Sequence, residues 1–373
     1  MGVEGNPVLL LIVGSGLLQG FFVAAILISR PSGNLTANRL LASLMILCSL
    51  NIAHPLIYHA WTSAFPFSVL RINEPMQFMM APLIAAYIRS LLVPEIRLTP
   101  RALVHFLPVP LVVIFTFTRS AAVVERSTSF PGGTVALWVL LLVQAAAYLL
   151  PSLRRLHRYH LALRNSVSNV SGIDLGWLTW LASTILGLYA SYVVLLAMMV
   201  HSRQFPPIEM YLALSLTVVV WALGYRGLIQ REPPRLDEAE APATRSSKYE
   251  RSAVPEAEAA RLQEKLEVSM TRDRLFLDAE LSLSGLAERL GAARNQVSFV
   301  INQRLGRNFF DFVNEYRVNE VIRLMKDPAR AGDKLLALAF SSGFSSKPTF
   351  NAVFKKVTGI APSEYRSKLT NQV

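Results

Sequence analysis

Two short stretches in the last third of the chain carry side chains that can hydrogen-bond to the edges of nucleic-acid bases. Arginine forms a bidentate pair with guanine, asparagine and glutamine pair with adenine, and an aromatic ring can touch the methyl group of thymine. The first stretch contains Arg294, Asn295, Gln296, Ser298 and Phe299, and the second contains Lys347, Thr349 and Asn351. We treat these eight residues as candidates for reading bases.

The elements that would position the first stretch are two short helices separated by a glycine. Four apolar residues at i, i+3, i+4 and i+7 predict the first helix, Gly291 ends it, and a second apolar stripe follows and ends at Gly306. These stripes consist of Leu283, Leu286, Ala287 and Leu290, and of Val297, Val300 and Ile301. The pattern predicts a helix-turn-helix unit over about residues 283–306.

The same pattern is written a second time, which predicts another helix-turn-helix unit over about residues 335–359. The matching residues are Leu335, Leu338, Ala339, Gly343, Phe350, Val353, Phe354 and Gly359. Between the units, residues 309–326 favour one long helix that would fix the distance between the two. Lys355, Lys356 and Arg366 are candidates for phosphate contacts, which fix register without reading sequence.

Residues 284–373 contain 14 lysines and arginines against 7 acids, as a phosphate-binding surface requires. The second unit, with Gly343-Phe344-Ser345-Ser346, Phe354-Lys355-Lys356 and Pro362-Ser363-Glu364-Tyr365-Arg366, resembles the DNA-binding domain of AraC-type (AraC/XylS) transcription regulators. The resemblance covers about the last 115 residues and implies binding to double-stranded DNA. The chain departs from that family's pattern at Ala293, Phe299 and Ala352.

The charge distribution divides the chain into a membrane part and a soluble part. Residues 1–230 contain no lysine, 14 arginines and 6 acids, whereas residues 231–373 contain 23 basic and 19 acidic residues. The predicted fold is all-α: a seven-helix transmembrane domain (1–230), a flexible linker (231–252) and the DNA-binding domain (253–373). The predicted spans are residues 7–29, 40–60, 72–93, 103–118, 134–150, 177–200 and 208–229.

The arginines in the predicted loops indicate the orientation of the spans. Loops after the first, third and fifth spans carry nine arginines, and those after the second, fourth and sixth carry four. We therefore expect a bacterial inner-membrane protein with its N-terminus outside and its DNA-binding domain in the cytoplasm. The run of seven spans also resembles the sensor half of membrane-bound AraC-type regulators.

Polar residues inside predicted spans are candidates for binding a signal molecule. Asn51, His54, Glu74 and Gln77 would share one depth near the outer surface and could line a ligand pocket. Hydrogen bonding between helices is the alternative role of these four residues. Walker, HExxH and GxSxG motifs are absent and the single cysteine is Cys48, so neither an enzyme, a cofactor nor a metal site is expected.

The sequence thus predicts a one-piece, membrane-bound transcription regulator whose transmembrane domain senses a small-molecule or membrane signal. The expected partners are double-stranded DNA and the lipid bilayer, and pairing into a homodimer would make the relay of the signal easier. One alternative is a transporter or small-molecule receptor whose tail binds a protein partner. Another is release of the tail by proteolysis in the linker.

Overall fold

The computed structural model describes residues 7–31, 33–61, 73–93, 100–123, 132–202, 208–230 and 254–370. These residues form helices and turns, with no strand among them beyond an isolated bridge. The chain divides into two compact units: residues 1–156 with 175–235, and residues 157–174 with 236–373. The predicted linker, 231–252, lies outside the described residues.

Seven long helices account for most of the described part of the first unit. They are α1 (Pro7–Ser29), α2 (Leu35–Trp61), α3 (Asn73–Leu92), α4 (Pro108–Val123), α5 (Gly132–Ser166), α6 (Gly176–Ser202) and α7 (Ile208–Ile229). A 3-10 turn, Pro100–Phe106, precedes α4. The last ten residues of α5 belong to the second unit.

Five of these helices, α1, α2, α5, α6 and α7, are long and apolar enough to cross a membrane. The other two predicted spans also form helices, but α3 begins with Asn73 and Glu74 and α4 has only 16 residues. Large apolar side chains point outward, as lipid contact requires: Leu11, Leu18 and Phe22 on α1 are 74%, 71% and 67% exposed. The first unit therefore has the surface of a membrane-associated domain, and the span count of seven stays a prediction.

Small residues allow α1 to pack closely on its neighbours. A Cβ atom at Gly16 would collide with Thr217 of α7, and one at Gly20 would collide with Ser49 of α2. Packing of this kind is the usual source of cohesion between helices in lipid, where burial of apolar surface gives no advantage.

The described part of the second unit contains seven α-helices in addition to the end of α5. They are α8 (Glu256–Thr271), α9 (Leu283–Leu290), α10 (Arg294–Phe299), α11 (Phe309–Met325), α12 (Leu335–Ser341), α13 (Lys347–Thr358) and α14 (Pro362–Thr370). A π-helical turn, Val300–Arg304, extends α10. The helix predicted over 309–326 is present and ends one residue earlier.

Helix α11 lies between two hydrophobic cores. Phe309, Phe312 and Val313 belong to the first core, which also holds the buried residues of α8, α9 and α10. Farther along α11, Val318 and Val321 belong to the second core, with α12 and α13. Because one helix supplies a wall to both cores, the two helix-turn-helix units are joined by a rigid element.

Residues 157–174 are the last turns of α5 and the loop before α6. In sequence they lie between two apolar helices, and the prediction placed them in the membrane domain. In the structure they pack with the C-terminal residues. Within this segment, the Tyr159 hydroxyl donates to the Ile173 carbonyl (2.9 Å) and His160 Nε2 lies 2.9 Å from Asp174 Oδ1, so the loop folds back on α5.

Candidate nucleic-acid interface and ligand pocket

The first helix-turn-helix unit is held by a cap at each end of α9. Ser282 Oγ accepts a hydrogen bond from the backbone N–H of Gly285 (3.1 Å), and Gly291 ends the helix with φ +64°. At the start of α10 stands Ala293, which has no side-chain cap to offer. The Gln296 side chain serves instead, because its Oε1 accepts from the Ala293 N–H (3.0 Å).

The five candidates of this unit differ in how far they face solvent. Asn295 is exposed at the first turn of α10, whereas Gln296 is held by its cap and by a 2.6 Å bond to Glu258 of α8. The hydroxyl of Ser298 accepts a bond from Asn302 (3.1 Å), and Phe299 packs against the first core. Arg294 is half-buried and donates to Ser166 (3.2 Å). In this structure α10 offers the solvent a small part of its predicted reading surface.

The second unit presents a recognition helix, α13, that begins at a side-chain cap. Ser346 Oγ caps α13 by accepting from the Thr349 N–H (3.3 Å), and Gly359 ends the helix with φ +81°. Lys347, Asn351 and Lys355 lie at i, i+4 and i+8 and are all exposed. Thr349 is half-buried, and its hydroxyl accepts a bond from Ser346 (2.9 Å). Helix α13 therefore has an exposed polar face suited to a groove.

The three phosphate candidates have different surroundings. Lys355 is exposed, and Lys356 makes a 2.7 Å ion pair with Asp311 at the start of α11. The Arg366 guanidinium donates to the backbone carbonyls of Asp333 (2.5 Å) and Ala331, so it braces the loop before α12. Contact of these residues with phosphate stays a prediction.

Comparison with known proteins identifies the C-terminal domain. Residues 286–368 match a family model described as a helix-turn-helix domain. Two curated relatives are each 39% identical over 66 residues: the TCP pilus virulence regulatory proteins of Vibrio cholerae serotype O1 strains O395 and N16961. The C-terminal domain is an AraC-type helix-turn-helix domain.

These matches cover only a small part of this chain and of its relatives. The match takes in 17% of this chain, and the chain spans 22% of the length of these curated relatives. No solved structure matches the chain. A helix-turn-helix domain binds double-stranded DNA, and its family is one of regulators rather than enzymes, which agrees with the prediction that the chain is not an enzyme.

The AraC-type domain also contains a buried arginine that the sequence analysis missed. Arg317, in the middle of α11, is 1% exposed. Its guanidinium donates to the carbonyls of Phe276 (2.8 Å), Asp278 (2.7 Å) and Ser168 (3.1 Å) and to the hydroxyl of Ser168 (3.0 Å). Burial lowers the pKa of Arg317 to about 10, which leaves it charged at neutral pH. One signal was available: a charged residue among the apolar positions of a core helix has to be paired.

The four ligand candidates of the first unit come together at a cavity. Asn51, His54, Glu74 and Gln77 all line a space of about 160 Å³ between α2, α3, α5, α6 and α7. Gln77 joins three helices: its Nε2 donates to Asn51 Oδ1 (2.7 Å), and its Oε1 accepts from the Tyr189 hydroxyl (3.3 Å). The side chains of Asn51 and Gln77 thus link helices and also line the cavity, and ligand binding by the four residues stays a prediction.

One wall of the cavity is aromatic. The Trp138 ring lies against Tyr192 at 45°, with 3.9 Å between the ring centroids, and its centroid is 6.4 Å from that of Tyr189. Glu74 is 8% exposed and accepts a hydrogen bond from Thr116 (3.4 Å). A buried carboxyl group beside aromatic faces suits a ligand with a positively charged or hydrogen-bond-donating head and a flat apolar part.

Proposed function

We propose that this chain is a membrane-bound transcription regulator, in which the apolar helices sense a signal and the AraC-type domain binds promoter DNA. The observation that carries the proposal is the AraC-type domain, whose helix α13 presents Lys347, Asn351 and Lys355 on one exposed face. It occurs in the same chain as helices that are apolar enough to cross a membrane. The coupling between the two parts is the proposed function.

In this proposal α10 and α13 enter successive major grooves on one face of a duplex. Grooves on one face repeat about every 34 Å, so one chain covers two half-sites about one helical turn apart. The two halves would be unlike, because α10 starts at an alanine and continues into a π-helical turn, while α13 starts at a serine cap and is α-helical throughout. We expect α13 to contribute more of the base contacts, and the bound site to be asymmetric.

The cavity beside Glu74 is the proposed signal site. Its volume of about 160 Å³ can hold a small molecule, up to the size of a drug fragment. The aromatic rings of Trp138, Tyr189 and Tyr192, which line the same cavity as Glu74, support a small organic cation as the ligand class. Because five helices line this cavity, a ligand here could change how those helices pack.

We propose the bacterial inner membrane as the location, with seven spans and a cytoplasmic C-terminal domain. The distribution of arginines between alternate loops supports this orientation. The packing of residues 157–174 with the AraC-type domain also supports it, because both must lie on the same side of the membrane.

The DNA-binding step is tested in cells with the full-length, epitope-tagged protein. Chromatin immunoprecipitation followed by footprinting should reveal enriched sites protected over about two helical turns. Lys355→Glu should abolish the enrichment, because it places a negative charge on the exposed face of α13. The matched control is Lys265→Glu, which makes the same charge change at an exposed position of α8, outside the matched residues 286–368.

Wild-type protein that enriches no DNA sequence under any growth condition would contradict the proposal. It would favour the alternative in which the tail binds a protein partner. Equal enrichment for the wild type and Lys355→Glu would instead remove α13 from the interface.

A further inference from the structure

Residues 157–174, which we name the docking segment, make contacts with both helix-turn-helix units of the AraC-type domain. The segment forms a short antiparallel bridge at Val167 and Ser282, next to the start of α9. Asn169 Nδ2 donates to Glu280 (3.0 Å) on the same side. Toward the second unit, Val170 packs against the second core, and Arg164 lies over the ring of Phe310, 5.6 Å from its centroid.

Ser168 is the centre of this contact. It is fully buried, and both its N–H (3.2 Å) and its hydroxyl (2.6 Å) donate to the Leu281 carbonyl. Its carbonyl accepts from Asn314 (3.0 Å) and from Arg317, which also donates to its hydroxyl. Hydrogen bonds from a buried guanidinium are among the stronger ones in proteins. The domain thus has a specific receptor site for one serine of the docking segment.

The docking segment also contacts two of the side chains that we propose to read bases. Arg294, at the first position of α10, donates to Ser166 Oγ (3.2 Å), and Thr349, in the first turn of α13, lies 3.4 Å from Ser171 Oγ. The first turns of recognition helices are the parts that approach base edges. A segment that lies against the first turn of both helices takes the place that a duplex would need.

We infer that the docking segment is an autoinhibitory element of the AraC-type domain, and that DNA binding requires its release. The inference rests on the proposed DNA-binding function. When the segment is docked, Arg294 and Thr349 are held by the protein itself. When it leaves, both side chains become available to bases, and Arg317 loses its Ser168 acceptors and gains access to water.

The main test locks the segment in place with a disulfide in the full-length protein. Val167→Cys with Ser282→Cys joins a bridged pair, and the Cα atoms of such a pair lie within the range that a disulfide spans. Neither position is a proposed DNA contact. Cys48→Ala removes the natural thiol, and the two single-cysteine variants in that background are the controls.

The locked and reduced forms of the same protein are compared in lipid nanodiscs. The probe is duplex DNA carrying the site found by footprinting. We expect the oxidised form to bind at least about fivefold more weakly than the reduced form, as for a typical coupling between sites. Reduction should restore binding, and oxidant should leave the single-cysteine controls unchanged.

A second variant tests release without a crosslink. Ser168→Phe cannot fit a fully buried serine site, so the segment should undock while the AraC-type domain keeps its own residues. We expect DNA affinity to rise by about fivefold or more over the wild type. The control is Leu161→Phe, which adds an aromatic ring at an exposed position of α5.

Each outcome has one meaning. Equal affinity of the oxidised and reduced forms would overturn the inference and leave the proposed function standing. Failure of the disulfide to form would also overturn it, because the bridged pair would not exist. Absence of DNA binding in every variant, with the disulfide formed, would overturn the proposed function and the inference with it.

Discussion

Gly343 occupies a position where any larger residue would meet backbone atoms. Its φ is +90°, and a Cβ atom there would overlap the Phe276 carbonyl and lie 3.0 Å from both Arg317 Nε and the Leu277 carbonyl. The turn between α12 and α13 therefore packs against the residues that precede α9. Gly359 has a similar φ of +81°, but a Cβ there would meet nothing within 4 Å.

We expect Gly343→Ala to destabilise the AraC-type domain clearly more than Gly359→Ala. The latter carries only the cost of a left-handed residue, about 1–2 kcal/mol, whereas the former adds a clash with backbone. The measurement is thermal unfolding of the full-length protein in detergent, followed by protease resistance of the C-terminal domain. Gly332→Ala, in open space, is the control. Equal losses at 343 and 359 would show that the turn does not pack as described.

Glu320 on α11 lies between two arginines. It accepts a bidentate pair from Arg323 (2.9 and 2.8 Å) and forms an ion pair with Arg274. The hydrogen bonds from Arg323, together with Arg274, lower the pKa of Glu320 below its ordinary value. A carboxylate whose pKa is lowered by folding stabilises the folded state above its unfolded pKa, and that contribution is lost as the pH falls through the folded pKa.

Glu320→Gln should therefore destabilise the domain at neutral pH, and its deficit against the wild type should shrink as the pH falls below about 4. Unfolding midpoints of both proteins measured from pH 7 to pH 3 provide the check. Asp327→Asn, at a half-buried cap just after the same helix, shows how much one capping carboxylate contributes. A deficit that is constant over the whole range would mean that Glu320 acts through packing rather than charge.

At the scale of single residues, the sequence predicted those whose role depends only on residues nearby in the chain. Gly291, Gly306, Gly343 and Gly359 were predicted to interrupt helices, and all four have positive φ. The buried contacts of Arg317 could not be predicted in the same way, because Ser168 is 149 residues away. The sequence predicted Arg366 as a phosphate contact. Its bonds to the carbonyls of Asp333 and Ala331 were not predicted, because they depend on how the loop before α12 folds.

Helices α10 and α13 have the same place in the repeated pattern and different exposed surfaces. On α13 three polar side chains line one exposed face, while on α10 Gln296 and Ser298 are engaged in hydrogen bonds within the domain. The repeat in the sequence predicted two helix-turn-helix units, because apolar spacing and glycine breaks are local signals. The π-helical turn after α10 was not predicted, since the apolar spacing is compatible with an ordinary α-helical continuation.

We expect Asn351→Ala and Lys355→Ala to weaken DNA binding in different ways. Loss of an amide that pairs with a base should cost about 1–3 kcal/mol at the specific site and little on other sequences. Loss of a phosphate contact should weaken binding on all sequences and lower the salt slope by about 1. Affinity titrations on specific and unrelated duplexes across a salt series distinguish the two. If both variants behave alike, Asn351 is not a base contact.

The whole molecule combines an apolar helical unit with an AraC-type domain, and composition predicted an apolar part followed by a charged part without revealing that residues 157–174 pack with the latter. Apolar runs in the sequence predicted the seven long helices described in the first unit. They could do so because a helix in lipid is recognised from the length and hydropathy of one continuous stretch. The four ligand candidates were predicted to share one depth, and they line one cavity. The aromatic wall of that cavity was missed, because Trp138 and Tyr192 lie on helices far apart in sequence.

If the cavity binds a small organic cation, Glu74→Gln should remove the response to it. Ligand at about 100 times its dissociation constant stabilises the bound protein by about 2.7 kcal/mol, a shift that the variant should lack. Thermal shifts of the full-length protein against a panel of aromatic and quaternary amines give the measurement. Glu256→Gln, the same chemical change in α8, is the control. A ligand that stabilises both variants equally binds elsewhere.

The continuity of α5 with the docking segment has a mechanical consequence. Helix α5 is 35 residues long, about 52 Å, and it ends at Ser166, two residues before Ser168. Each residue of a helix advances about 1.5 Å, whereas hydrogen bonds weaken over a few tenths of an ångström. A slide of α5 by one residue, or a modest twist about its axis, would carry both Ser168 oxygens out of reach of Arg317. The contact is therefore sensitive to shifts of about an ångström along α5.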